Sequence, residues 1–134
     1  MARKSAFTLV ELMIVLTVVA IMAAMSMPTF QHAIEQSRGD VAAANLRAIW
    51  AAERLYWLEY RAYTGQYDDL RAMGLMDPSF PATGNYYYGP PVVASDGSGF
   101  TVTATTTLGT VSSLTIDQTG SIAANGITLG FQFQ

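Results

Sequence analysis

The chain has 134 residues, 51% of them hydrophobic, no cysteine and a formal net charge of −3. That length provides for one small core, and the missing thiols exclude a disulfide framework and a cysteine nucleophile. The acidic balance speaks against nucleic-acid backbones, whose binding needs clustered Lys and Arg.

The first predicted element runs from Phe7 to Met27, 21 residues that are apolar or hydroxylated except for one charge, Glu11, and that end at Pro28. As a helix it extends roughly 31 Å, about the hydrocarbon thickness of a bilayer. Arg3 and Lys4 precede it, so the positive-inside rule puts the N-terminus in the cytoplasm and the residues beyond Pro28 across the membrane. Glu11 is the anomaly, because an acid inside a span costs on the order of a few kcal/mol and marks a function. A secretory signal peptide cut near Ala24-Met25-Ser26, leaving a monomeric exported protein, fits poorly with so long a run and with a carboxylate inside it. A plain membrane anchor leaves Glu11 without a role.

The stretch Lys4-Ser5-Ala6-Phe7-Thr8-Leu9-Val10-Glu11-Leu12-Met13-Ile14-Val15 resembles the class III signal of type IV pilins and pseudopilins. The shared pattern is a short basic leader, a small residue and Phe-Thr-Leu-Val-Glu-Leu before an apolar helix. The resemblance implies that a prepilin peptidase cuts between Ala6 and Phe7 on the cytoplasmic side, and that the new amine of Phe7 is N-methylated. Ala6 stands where the family most often has Gly, and Ala is the nearest substitute in size. It further implies that Glu11 pairs with the Phe7 amine of a neighbouring subunit, at a helix N-terminus that already favours negative charge. Removal of the leader takes away Arg3 and Lys4, leaving five basic side chains against ten acidic, a charge of −5.

What the resemblance implies about function is a structural subunit, the major pilin of a bacterial type IV pilus, with a pseudopilin of type II secretion or a minor pilin as the alternatives. The implied partners are further copies of the chain in a helical filament, the peptidase, and an inner-membrane assembly platform with its ATPase. The membrane holds the precursor; the assembled form is an extracellular pilus or a periplasmic pseudopilus. No enzyme activity and no cofactor are expected. Adhesion, twitching motility, DNA uptake and protein secretion are not ranked by these residues.

Pro28 is expected to kink or locally open the helix by removing a hydrogen bond. The family often carries Gly midway along the anchor; here Ala20, a strong helix former, stands in that place. A helical pattern then continues to about Tyr60. Ala42, Leu46, Ile49, Glu53, Tyr56, Tyr60 and Tyr63 recur at spacings of three and four, with Trp50 and Trp57 beside them, a broad face expected to cover a sheet. The aromatic residues are read as core packing rather than as a conducting path. Asp40, Arg47, Arg54 and Arg61 form a charged stripe one heptad apart. Opposite the aromatic face lie Val41, Ala44, Ala48, Ala51, Ala52 and Leu55, read either as an exposed helix rich in Ala or as a face that packs in a filament.

From Thr64 to Pro91 the helical period fades. Asp68 to Met76 is expected to hold one short helix stopped by Gly74, and Tyr86-Tyr87-Tyr88 a short strand broken by Gly89-Pro90-Pro91. After the turn Asp96-Gly97-Ser98-Gly99, strands are expected over Phe100–Thr107, Leu114–Asp117, Ser121–Ala123 and Gly126–Phe133. The class is α+β: a long helix packed on a small antiparallel sheet of three to four strands. The expected divisions are a leader at 1–6, an apolar helix at 7–28, its amphipathic second half at 29–63 and a head at 64–134. His32, the only histidine, is read as solvated or helix-packed. Asp68-Asp69 and Asp96 with Asp117 are read as turn and capping residues rather than calcium ligands, so no metal is expected.

Overall fold

A computed structural model describes residues 7–80, 84–106 and 113–125. Within the first helix, the side chains of Ser26, Met27, Pro28, Thr29 and His32 lie outside the described ones, as do all of residues 1–6 and the strand expected over Gly126–Phe133. The chain divides into two compact units, Met1–Ile34 and Glu35–Gln134.

Helix α1 spans Leu9–Tyr60, and its backbone stays helical through Pro28. Proline removes one helical hydrogen bond, and the described backbone continues past it. In the first unit every described side chain from Phe7 to Met25 is exposed, among them Leu9, Met13, Leu16 and Met25. Among the described residues no helix is long and apolar enough to cross a membrane. The described side chains of the apolar run stop at Met25, and the crossing expected of Phe7 to Met27 takes in residues beyond them.

In the second unit the C-terminal part of α1 supplies Ala42, Leu46 and Ile49 to a core completed by Tyr86, Tyr88, Phe100, Val102, Ala104, Leu114 and Ile116. Glu53 is buried on the same face, as expected. Further along, Tyr56 is half-buried, Tyr60 is exposed, and the two rings stack at 4.6 Å. The opposite face is exposed at Val41, Ala44, Ala48, Ala51 and Leu55, as read from the pattern, but Ala52 is buried. At 100° per residue Ala52 falls closer to the core-facing stripe than its neighbours Ala51 and Leu55.

The helix ends at Tyr60 with Arg61 in the left-handed region, φ 56°, where its N–H bonds the Trp57 carbonyl at 2.8 Å. A connection follows to α2 (Tyr67–Ala72), a single short helix with Leu70 buried, after which Gly74 takes φ 70°.

Among the described residues five short strands form one antiparallel sheet: β1 (Tyr87–Tyr88), β2 (Val92–Val93), β3 (Phe100–Thr105), β4 (Ser113–Asp117) and β5 (Ile122–Asn125). The order is β1-β3-β4-β5, and β2 pairs with β3 on the same side as β1. β1 and β2 are thus one edge strand interrupted at Gly89-Pro90-Pro91. Tyr88 faces Ala104 and Val92 faces Thr101, so three residues on the edge oppose two on β3, a bulge. Proline, lacking an N–H, is tolerated only at such an edge. Along β3 the alternation is plain: Phe100, Val102 and Ala104 point into the core, and the Thr hydroxyls point away, Thr103 lying 3.3 Å from Thr115 across the ladder.

Candidate functional site

The signal residues Ala6 and Phe7 are split by the described range: Ala6 lies outside it, and Phe7, an exposed side chain, stands two residues before α1. Glu11 is in the first turn of α1. Its carboxylate Oε2 accepts the Thr8 N–H at 3.3 Å and the Thr8 hydroxyl at 3.0 Å, while the Glu11 N–H donates to Thr8 Oγ1 at 3.2 Å. The Thr8 carbonyl accepts the first helical bond from Leu12 N at 3.2 Å. This is a reciprocal capping box, Thr-x-x-Glu, which satisfies two of the backbone donors that open a helix. Glu11 therefore has a partner within its own chain, which the sequence reading did not name although the spacing Thr8 to Glu11 carries that signal.

The arrangement holds the acid at the end of the helix from which Phe7 leaves. An ionised carboxylate has about four lone-pair sites, so capacity remains for a further donor, and the helix dipole favours negative charge at this end. Pro28, the third assembly residue expected from the sequence, lies 17 residues further along α1, roughly 26 Å at 1.5 Å per residue. It is not part of the same site.

The remaining polar candidates are occupied by local structure. Asp68 pairs with Arg71 at 2.5 Å, and Asp69 Oδ2 accepts the Thr64 hydroxyl. Asp96 accepts the N–H and hydroxyl of Ser98, and those bonds hold its carboxyl below the ordinary range. Asp117 is lowered in the same way by Thr119 at the β4–β5 turn. Among the described residues no group of three or more His, Asp or Glu side chains is placed to hold a metal ion.

Of the charged stripe, Asp40 takes a hydrogen bond from Gln36 at 3.0 Å. The guanidinium of Arg54 lies over the Trp50 ring at 5.6 Å and that of Arg61 over Trp57 at 4.8 Å. Trp50 also donates its indole N–H to the Gln118 carbonyl at 3.0 Å and packs under Gly120. Trp50 thus fastens the β4–β5 turn to the helix with Arg54 laid over its ring, a structural use that helical spacing alone did not reveal. A groove of about 380 Å³ lies between the other flank of α1, at Ser37, Arg38, Val41 and Asn45, and the edge of the sheet at Tyr86 and Tyr88.

An uncovered apolar helix that begins in a capped acid is followed in the chain by a head with a small antiparallel sheet. Residues 1–27 match the family model described as the prokaryotic N-terminal methylation motif. The chain is similar to the type IV major pilin protein PilA of Myxococcus xanthus, 36% identical over 62 residues, which cover 46% of this chain and 28% of that protein. It is also similar to the type II secretion system core protein G of Pseudomonas aeruginosa, 34% identical over 71 residues, 53% of this chain and 50% of that protein. The chain thus spans half or less of the curated relatives it matches, and its likeness is to type IV pilins and type II secretion pseudopilins together.

Proposed function

We propose that this chain is a structural subunit of a bacterial helical filament, the major pilin of a type IV pilus. The observation that carries the reading is the surface of the first unit: large apolar side chains from Phe7 to Ile34 are exposed around α1. A helix apolar on all sides needs cover from lipid or from other helices. The same segment meets both needs in turn, first in the inner membrane and then among copies of itself.

In this reading a prepilin peptidase cuts between Ala6 and Phe7, and the Phe7 amine is methylated. The assembly platform and its ATPase then draw the subunit out of the membrane. The Phe7 ammonium of one copy meets Glu11 of another, adding an ionic donor to an acid that its own chain already caps. The methylation motif over residues 1–27 supports the processing steps.

A pseudopilin of type II secretion is the second reading. In its favour, the matched segment is half of core protein G against 28% of the major pilin. Production of the full chain in a host with pilus machinery tests both. Sheared surface fibres whose subunit begins at methylated Phe7 are expected. A processed subunit that stays in the cell envelope points to the pseudopilus, and a mature chain that starts beyond Met25 overturns both readings.

A further inference from the structure

Glu53 is the only ionisable carboxyl wholly buried among the described residues, and the proposed assembly gives it no role. It leaves α1 on the face that holds Leu46 and Ile49. Its Oε2 accepts the Thr64 N–H at 3.0 Å, whereas its Oε1 has no hydrogen-bond partner. Thr64 belongs to the connection between α1 and α2. Its hydroxyl donates to Asp69 Oδ2 at 2.5 Å and accepts the Gln66 N–H at 3.1 Å. One buried threonine therefore links two carboxyls, one on each helix.

The connection begins at Arg61, whose φ of 56° is the one positive value at a non-glycine residue among those described. Such a backbone persists only while its surroundings hold it. The far side of the connection is fastened by Tyr67, whose hydroxyl donates to the Gly89 carbonyl at 2.6 Å, and by buried Leu70.

The groups facing Glu53 are Asp69 and Tyr67 on α2 and Tyr56 one turn along α1, and none is a cation. Burial pushes the Glu53 carboxyl up to about 7; the Thr64 N–H pulls it back in part, and Asp69 adds to the rise. A neutral carboxyl keeps the bond from Thr64. A carboxylate there leaves a charged oxygen unpaired in the interior, a far costlier arrangement.

We propose that Glu53 is a proton-operated latch: neutral, it holds the Arg61–Gln66 connection and α2 against α1, and ionised, it lets both loosen. The sign follows from the raised value. The closed form has its full stability below about pH 4.5, loses it as the pH climbs to about 7, and changes little above that. The head would then present a tight α2 surface in mildly acidic surroundings and a looser one in alkaline ones. This inference concerns the head alone and does not depend on the filament reading.

The test is amide hydrogen exchange of the full chain in detergent micelles at pH 5 and pH 8, corrected for intrinsic rates and read on the peptide spanning residues 61–66. Opening of that peptide is expected to rise roughly 10- to 100-fold between the two values, with the α1 peptides around Leu46 unchanged. Glu53→Gln should stay protected at both. Asp69→Asn should move the midpoint to lower pH, and this variant decides the matter should Glu53→Gln fail to fold. Equal opening of the natural chain at pH 5 and pH 8 overturns the latch, as does a Glu53→Gln chain that loosens with pH as the natural one does.

Discussion

A single substitution can separate the capping role of Glu11 from its proposed role in assembly. Glu11 closes the capping box with Thr8, and in the proposed assembly it also meets the ammonium of another copy. Gln serves in a capping box but cannot neutralise an amine. Glu11→Gln is therefore expected to keep the start of α1 ordered, by hydrogen exchange in micelles, while cutting the yield of sheared fibres at least tenfold. Glu11→Val should lose both the order and the fibres yet still insert in the membrane. Thr8→Ala should weaken the helix start by about 1 kcal/mol and still assemble. Fibres of normal yield from Glu11→Gln would mean that the capping role is the whole of it. The charge anomaly was legible in the sequence; the capping partner was present as a spacing but was hidden behind the signal motif. Gly120 is a second position where one atom decides. It holds φ 83°, and a Cβ there would meet the Trp50 ring at 3.2 Å. Left-handed backbone costs a residue with a side chain roughly 1–2 kcal/mol, so Gly120→Ala should lower stability by about that amount or more in chemical denaturation.

On the scale of elements, α1 shows how far periodicity reaches. Ala42, Leu46, Ile49 and Glu53 are buried as their spacing predicts, because a helix over a sheet exposes one stripe and covers the other. Tyr60, on the same stripe, is exposed: the helix stops there, and Tyr63 beyond it instead meets Phe100 at 4.9 Å. The Thr-rich alternation of β3 was equally plain. The return of the edge strand as β2 was not, since two valines carry no period and two prolines argue against a strand. The faces of α1 then give opposite expectations. Leu46→Ala, in the core, should cost about 2–5 kcal/mol of stability. Leu55 and Leu58 are 51% and 59% exposed, in line with Val41, Ala44, Ala48 and Ala51 at spacings of three and four. Leu55→Lys with Leu58→Lys should leave the melting temperature within a degree or two, because exposed sites seldom change stability by more than about 0.5 kcal/mol. The same pair should abolish fibres if this face packs against other copies, and fibres of unchanged yield would remove it from the assembly.

For the whole molecule, the sequence holds no cysteine, so no disulfide fastens the head or, in the proposed filament, the apolar helix. Where that helix is expected to yield in the proposed assembly follows from two residues. Pro28 cannot donate to the Ala24 carbonyl, so the turn from Ala24 to Pro28 is the weakest in the run. Ala20 pulls the other way: Ala is favoured over Gly in a helix interior by about 1 kcal/mol, so the middle of the run resists opening. In the proposed assembly the helix passes from lipid into a bundle and adjusts its length and direction on the way, and opening is cheapest where a hydrogen bond is already missing. A filament reconstruction is therefore expected to show continuous helix from Leu9 through Ala20, with any extended backbone confined to Ala24–Pro28. Extended backbone that begins at Ala20 would show that contacts between copies, rather than the loss of one backbone bond at Pro28, choose the point of yielding.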